Sequence, residues 1–196
     1  MRYETLYIML LIFASGLFLA GALLDTPDNI ARGLIRIVMT EDPLITDYVR
    51  LAGVGAALIN SSVVTALSVL ILRSSGEPAN GFTLVVVGLM AGFSLFGKNP
   101  VNTWPIVLGT WLYAKSRKEP FGSMRPWPCC PRPWGRSSAI SSWTTAGHPG
   151  AWVATGLMIG FVMPSLSAYT YKIQNGMNLY NVGFACGLMA MLLGVP

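Results

Sequence analysis

The chain has 196 residues, of which 53% are hydrophobic and only 11% charged, with a net charge of +5 and a mean hydropathy of +0.56. An average soluble domain carries roughly 25% charged residues, so this composition cannot clothe a wholly water-facing surface. The Lys and Arg residues fall in short clusters between apolar runs rather than along one face, which excludes a nucleic-acid footprint and marks them as topology determinants.

A membrane crossing needs about 20 mainly apolar residues for a hydrocarbon core of roughly 30 Å, so the length allows about five or six. The first apolar run, residues 6–24, follows Met1-Arg2. Its length and the spans after it favour a first crossing over a cleaved secretory segment, despite the cleavage-like Ala20-Gly21-Ala22. Residues 25–48 mix both signs of charge. Within them Ile30, Leu34, Ile37 and Val38 share one helical face and Arg32 and Arg36 lie off it, so residues 28–39 are expected to form an amphipathic helix. Such a helix either lies in the membrane interface or packs on the bundle as a solvated connector.

The second span, residues 51–72, is apolar apart from Asn60, Ser61, Ser62, Thr65 and Ser68, residue types that mediate helix packing in membranes. After the turn Ser74-Ser75-Gly76-Glu77-Pro78, residues 82–96 form a third span in which Gly88, Gly92 and Ser94 permit close approach. Gly97-Lys98-Asn99-Pro100 separates it from a fourth, residues 101–114, that ends at Lys115-Ser116-Arg117-Lys118. That basic cluster belongs on the cytoplasmic side. Four crossings before it place the N-terminus in the cytoplasm too, although Arg32, Arg36 and Arg50 then sit outside among Asp25, Asp28, Glu41, Asp42 and Asp47. The last spans, residues 150–169 and 179–195, are joined by a polar linker with Lys172, Gln174 and Asn175. The expected fold is all-α: a polytopic transmembrane helix bundle of about five or six spans with one amphipathic interfacial helix. Residues 1–121 form its N-terminal half and residues 150–196 its C-terminal part.

Residues 122–149 do not match their flanks, being crowded with Pro, Arg, Trp, Cys and Ser. The genetic code supplies a reason. If every codon is made to start one base earlier, the first base of each old codon becomes the middle base of a new one, and middle T always encodes an apolar residue. Trp127, Cys129, Cys130, Trp134 and Trp143 have codons beginning TG, so each becomes Leu, Met or Val. With TCN codons Ser137, Ser138, Ser141 and Ser142 become Phe, Leu, Ile or Val, and Thr144 becomes Asp. The result is a span of nearly 20 residues ending in a charge. The tract is therefore read as frame-shifted, flanked by two compensating insertions or deletions, so that the chain as written lacks one crossing; the alternative reading is an ordinary polar loop.

Two polar interruptions share the pattern Gly-x-Asn-x-x-Asn, at residues 97–102 and 176–181, and each follows a Gly-Leu-Met-x-Gly-Phe, at residues 88–93 and 156–161. Interrupted segments in corresponding positions of two halves point to a binding site in secondary transporters. Asn side chains there offer donors and acceptors without charge. The competing reading is that Asn99 and Asn178 cap helix starts at the membrane surface. Lys98 is either a buried functional cation or, as its place at the end of a full third span favours, a snorkelling side chain. Pro105 and Pro164 are expected to kink or end their helices, and Trp104, Trp111 and Tyr113 to serve as interfacial anchors or in packing. Cys129, Cys130 and His148 lie in the anomalous tract and Cys186 in an apolar run, so none is read as a metal or redox site. Without a nucleophile and base pair, a paired acid in the spans or a phosphate-binding Gly loop, no catalytic residue, metal or cofactor is expected, and the chain is not expected to be an enzyme.

The stretches Gly92-Phe93-Ser94-Leu95-Phe96-Gly97-Lys98-Asn99-Pro100 and Met177-Asn178-Leu179-Tyr180-Asn181-Val182-Gly183-Phe184-Ala185 resemble the bacterial membrane family called domain of unknown function 1576. The similarity covers most of the chain outside residues 123–149. It implies a multi-span protein without an established activity. Because members of that family are longer, it also implies a fragment or damaged copy, and it carries over no catalytic residue. The function expected is a transporter-like one for a small polar solute, with a site at Lys98, Asn99, Asn102, Asn178 and Asn181. The alternative is a non-transporting membrane scaffold or assembly partner. A transporter places both Asn motifs at mid-membrane depth facing a polar cavity, whereas a scaffold is a closed, dry bundle with those residues at the interfaces. A channel is the weakest option, because Asn99-Pro100-Val101 has no second Asn-Pro copy. The partners expected are the lipid bilayer and a small polar solute, with no nucleic acid; oligomeric partners stay open.

Overall fold

The computed structural model describes residues 3–40, 46–76, 78–118 and 151–173, and among them all regular structure is helical. They fall into two units, residues 3–40 with 46–101 and residues 102–118 with 151–173.

The first unit is organised around α4 (Val54–Ser74), with α1 (Tyr3–Leu24) antiparallel beside it. At 1.5 Å per residue each is about 32 Å long, enough for a hydrocarbon core. These are the two helices among the described residues that are long and apolar enough to cross a membrane. Three contacts fix their register from end to end. Arg73 Nη2 lies 3.1 Å from Glu4 Oε2, Ser62 Oγ donates to the Ala14 carbonyl at 2.7 Å, and Gly21 meets Gly55. A Cβ on Gly21 would stand 2.8 Å from the Gly55 carbonyl oxygen, so at this crossing only hydrogen fits. Only 22% of the apolar core of α1 is buried, against 61% for α4. Ile8, Ile12, Leu19 and Leu23 of α1 are each at least half exposed. A contiguous apolar face of this kind is rare on a water-soluble monomer, whereas lipid would cover it without cost.

The expected second span is divided. Gly53, at φ +90°, in the region that favours glycine, ends α3 (Tyr48–Ala52) and begins α4. The Asp47 carboxylate caps α3, accepting from the backbone N–H groups of Val49 at 3.0 Å and Arg50 at 3.2 Å. Before it, α2 (Pro27–Met39) opens with Pro at its first position and buries Ile30, Gly33 and Ile37, as its amphipathic pattern requires. Ile37, Tyr48, Ala56 and Ala57 form one buried cluster, with Leu34, Leu51 and Leu95 packed against it. The approach is close because a Cβ on Gly33 would lie 2.5 Å from the Ala52 carbonyl oxygen. The helix α5 (Gly81–Phe93) also packs on α4. It ends three residues before the expected boundary at residue 96, and its 13 residues reach only about 20 Å. With Val153–Leu166 its apolar stretch forms a second class, shorter than a crossing. Two helices among the described residues thus qualify as crossings, where five or six were expected over the whole chain. The expected span 179–195 and the tract 122–149 lie outside those residues.

The second unit pairs α6 (Pro100–Arg117), whose first two residues belong to the first unit, with α7 (Ala151–Ile173). Pro105 and Pro164 both lie inside these helices without ending them. Pro105 abuts Gly156, while Gly109 and Gly160 bring the two backbones into contact through the carbonyls of Leu157 and Ile106. The Thr110 hydroxyl is shared between its own Ile106 carbonyl, at 3.0 Å, and the Gly160 carbonyl across the crossing, at 3.2 Å. Further along, the Tyr113 ring meets Phe161 edge-on at 5.5 Å and its hydroxyl accepts from Ser165 at 2.8 Å. Contact positions rise together along both helices, so α6 and α7 run parallel.

That direction bears on the anomalous tract. Two parallel helices that follow one another in a chain need a further crossing between them if both span a membrane. Residues 119–150 as written contain no apolar run long enough to be that crossing. Sequencing the coding DNA from the codon of Phe121 to that of Ala151 is expected to yield an apolar run in the shifted frame. Codons that preclude such a run would make the tract genuine and remove the missing crossing.

Candidate functional site

Between α5 and α6 the chain leaves the helical path for residues 94–99 without leaving the interior: Ser94, Lys98 and Asn99 are all buried. Two tight turns begin the break, with the N–H of Leu95 bonded to the Gly92 carbonyl at 3.1 Å and that of Phe96 to the Phe93 carbonyl at 3.0 Å. Gly97 completes the reversal at φ +106°, and Pro100 restarts the helix at the position where its missing N–H costs nothing.

Non-helical backbone away from water must find hydrogen-bond partners within the protein. Helix α4 supplies two of them through Asn60, the first of three consecutive polar residues. The Asn60 amide donates both of its hydrogens, one to the Ser94 carbonyl at 2.7 Å and one to the Lys98 carbonyl at 2.8 Å. Ser61 Oγ donates to the Ala91 carbonyl in the last turn of α5 at 2.8 Å, and Ser62 turns to α1. Successive positions on a helix are about 100° apart, so one short polar patch addresses the break, α5 and α1 separately. Helix α3 adds the N–H of Tyr48, bonded to the Leu95 carbonyl at 3.1 Å. Asn60 is the seventh residue of α4, which places the break about 9 Å along that helix, between its first turn and its middle.

Lys98 is 3% exposed and its Nζ lies 2.9 Å from Met90 Sδ. The snorkelling expectation is corrected here. Helix α5 stops at Phe93 and the chain turns beneath Asn60, so Lys98 does not stand at the end of a full-length span. Asn99 is 4% exposed, with its Nδ2 3.4 Å from the hydroxyl of the fully buried Tyr48. Asn102 lies beyond the unit boundary, half-buried, and accepts from Thr103 Oγ1 at 3.4 Å. Asn178 and Asn181 lie outside the described residues, as do Cys129, Cys130, His148 and Cys186. The break thus brings Lys98 and Asn99 together with Asn60, Tyr48 and Met90, which were not among the candidate site residues. For Asn60 a signal was present: an amide with two donors inside an apolar helix cannot spend both on its own turn.

The paired Gly-Leu-Met-x-Gly-Phe motifs are used in opposite ways. In α5 the Met is buried against Lys98, while Gly88 and Gly92 have nothing within 4 Å of an added Cβ. In α7 Gly156 and Gly160 form the helix crossing and Met158 is 45% exposed. The motif repeats in letters but not in the face it buries.

An ammonium, a carboxamide and a phenol held in a low-dielectric interior supply hydrogen-bond donors and one positive charge, which suits a polar or anionic group of small size. No curated protein and no solved structure matches the chain. A family model does match, over residues 26–195, continuing on both sides of the anomalous tract. The chain therefore belongs to the family described as protein of unknown function, DUF1576.

Proposed function

We propose that the chain is a multi-pass protein of a bacterial inner membrane that moves a small polar solute. Its site centres on Lys98 and Asn99. The observation that carries this reading is the buried, non-helical break at residues 94–99, which presents a cation and an amide and is held open by Asn60. Broken helices of this kind hold substrate and coupling-ion sites in secondary transporters, and a lysine retained in a membrane interior is costly enough to call for a use. Five or six crossings and a cytoplasmic N-terminus belong to the same proposal, supported by the basic cluster Lys115, Arg117 and Lys118.

The rival is a scaffold or assembly partner that transports nothing. The near-complete burial of Lys98 and Asn99 favours it, since a transporter must open this region to water at some point in its cycle. Thermal unfolding of the detergent-solubilised full chain separates the two. Amino acids, dicarboxylates and sugars are added class by class, each at a concentration well above the expected dissociation constant. A ligand at about 100 times that constant stabilises the folded state by about 2.7 kcal/mol. The transporter reading expects one class to raise the midpoint by several degrees. No effect from any class supports the scaffold.

A further inference from the structure

A second charged site lies where the C-terminal end of α1 meets α2 and α3. A cavity of about 320 Å³ opens there, lined by Arg32 and Arg36 from α2, Arg50 from α3, and Asp25, Asn29 and Gly53. It shares no lining residue with the break at Lys98. Three guanidinium groups face one carboxylate, and that carboxylate is already engaged. Asp25 Oδ1 accepts from the Thr26 N–H at 2.8 Å and from Asn29 Nδ2 at 2.9 Å. Arg32 makes only long contacts, to the Asp28 carbonyl at 3.3 Å and Asn29 Oδ1 at 3.4 Å. Among the described residues none of the three arginines forms an ion pair, the bond between Arg73 and Glu4 being elsewhere. Exposed, unneutralised arginines converging from two helices repel one another, and what relieves this is an anion matched to their planar forks.

The three faces of α2 indicate where that anion comes from. One face, Ile30, Gly33 and Ile37, is buried in the protein. A second carries Arg32 and Arg36 one turn apart toward the cavity. A third carries Ile35 and Met39, again one turn apart, at 60% and 72% exposure. Apolar side chains left outward beside an arginine pair are the pattern of a helix lying at headgroup depth, its apolar residues in the acyl region and its cations level with phosphates. We propose that Arg32, Arg36 and Arg50 form a binding site for a phosphate-bearing anion at the membrane surface, filled by an anionic lipid headgroup or by soluble phosphate. This inference is independent of the solute-transport reading.

The test uses the full chain in neutral detergent, with native mass spectrometry to follow retention of phosphatidylglycerol against phosphatidylcholine of the same acyl chains, and titration calorimetry with inorganic phosphate. The site predicts that phosphatidylglycerol is retained about tenfold better than phosphatidylcholine, and that R32Q/R36Q and, separately, R50Q remove most of this preference. R73Q, which removes the same single charge as R50Q at a half-exposed residue outside the cavity, is expected to change it less than about twofold. All four positions are exposed enough to tolerate Gln, and R50Q, on a different helix from the other two, guards against a local defect in α2. Retention of phosphatidylglycerol that excess phosphate does not displace assigns the site to lipid. Phosphate binding with the same arginine dependence, and no lipid preference, assigns it to a soluble anion. Absence of both, or an R73Q effect equal to that of the cavity variants, overturns the proposal.

Discussion

Replacing Lys98 with Met is expected to stabilise the protein while abolishing the response to solute. The ammonium is 3% exposed, beside the thioether of Met90, and so has given up nearly all of its hydration. The effective cost of burying such a group is several kcal/mol. The hydrogen bonds it makes in return are worth about 1.5–3 kcal/mol each when one partner is charged. Met has similar length, keeps the packing against Met90 and carries no charge. The balance favours a gain of at least about 1 kcal/mol in unfolding free energy for K98M, read from denaturation in mixed micelles. A residue kept at a cost to stability and lost at a cost to function is a functional residue. If K98M instead lowers stability, the ammonium is a structural donor and the solute site loses its central group.

Asn60→Leu is expected to have the opposite sign and a larger size. Leu has the same branching at Cγ as Asn, with a somewhat larger and wholly apolar side chain, yet it removes both donors from the carbonyls of Ser94 and Lys98. Two estimates compete. Side-chain hydrogen bonds between membrane helices average only about 0.6 kcal/mol, because the separated helices find other partners. A buried carbonyl left with no partner costs about 1–3 kcal/mol. The second applies here, because both carbonyls belong to a break in the helix and stand outside any regular ladder. We expect N60L to destabilise by about 2–4 kcal/mol and to lose solute binding as the break collapses. Ser68→Ala is the control, since that hydroxyl bonds only to the Val64 carbonyl of its own helix, and it is expected to be nearly silent. An N60L protein as stable as wild type would mean that other groups hold the break.

Apolar runs and periodicity made most of the helices legible, for physical reasons that hold at each element. The amphipathic reading of residues 28–39 rests on a spacing that allows only one face to be buried, and α2 buries that face through Ile30 and Ile37. The run at residues 6–24 and the one at residues 51–72 are long enough that any fold must keep them helical, and α1 and α4 follow. What composition could not place were the ends. Gly53 looks like one more small residue in an apolar run, yet its positive φ divides α3 from α4. Pro105 and Pro164 look like terminators, yet both sit within helices; the ring of Pro105 is accommodated because its neighbour across the crossing is Gly156.

The site was legible by half. Gly97-Lys98-Asn99-Pro100 marks a break in any reading, because no helix passes easily through it. Its depth was not readable, because that depends on α5 stopping at Phe93 and on Asn60 reaching across from a helix more than thirty residues earlier in the chain. Tyr48 illustrates the same gap. In sequence it closes a mixed-charge connector, but in the fold it is fully buried and donates its N–H to the break. Contacts between residues distant in sequence leave no local pattern to read.

The most direct test of the central claim, that the break at Lys98 and Asn99 is a site reached from water, is labelling of Asn99→Cys in intact membranes after the native Cys129, Cys130 and Cys186 are replaced by Ser. A charged, membrane-impermeant maleimide is applied, with Ile37→Cys, in the buried apolar cluster, as the dry reference. The account predicts that N99C reacts on a timescale of minutes while I37C stays unlabelled, and that K98M, by altering the polarity of the pathway, slows the reaction. Equal silence at both positions would contradict it, leaving a closed bundle in which the buried lysine and asparagine serve structure alone.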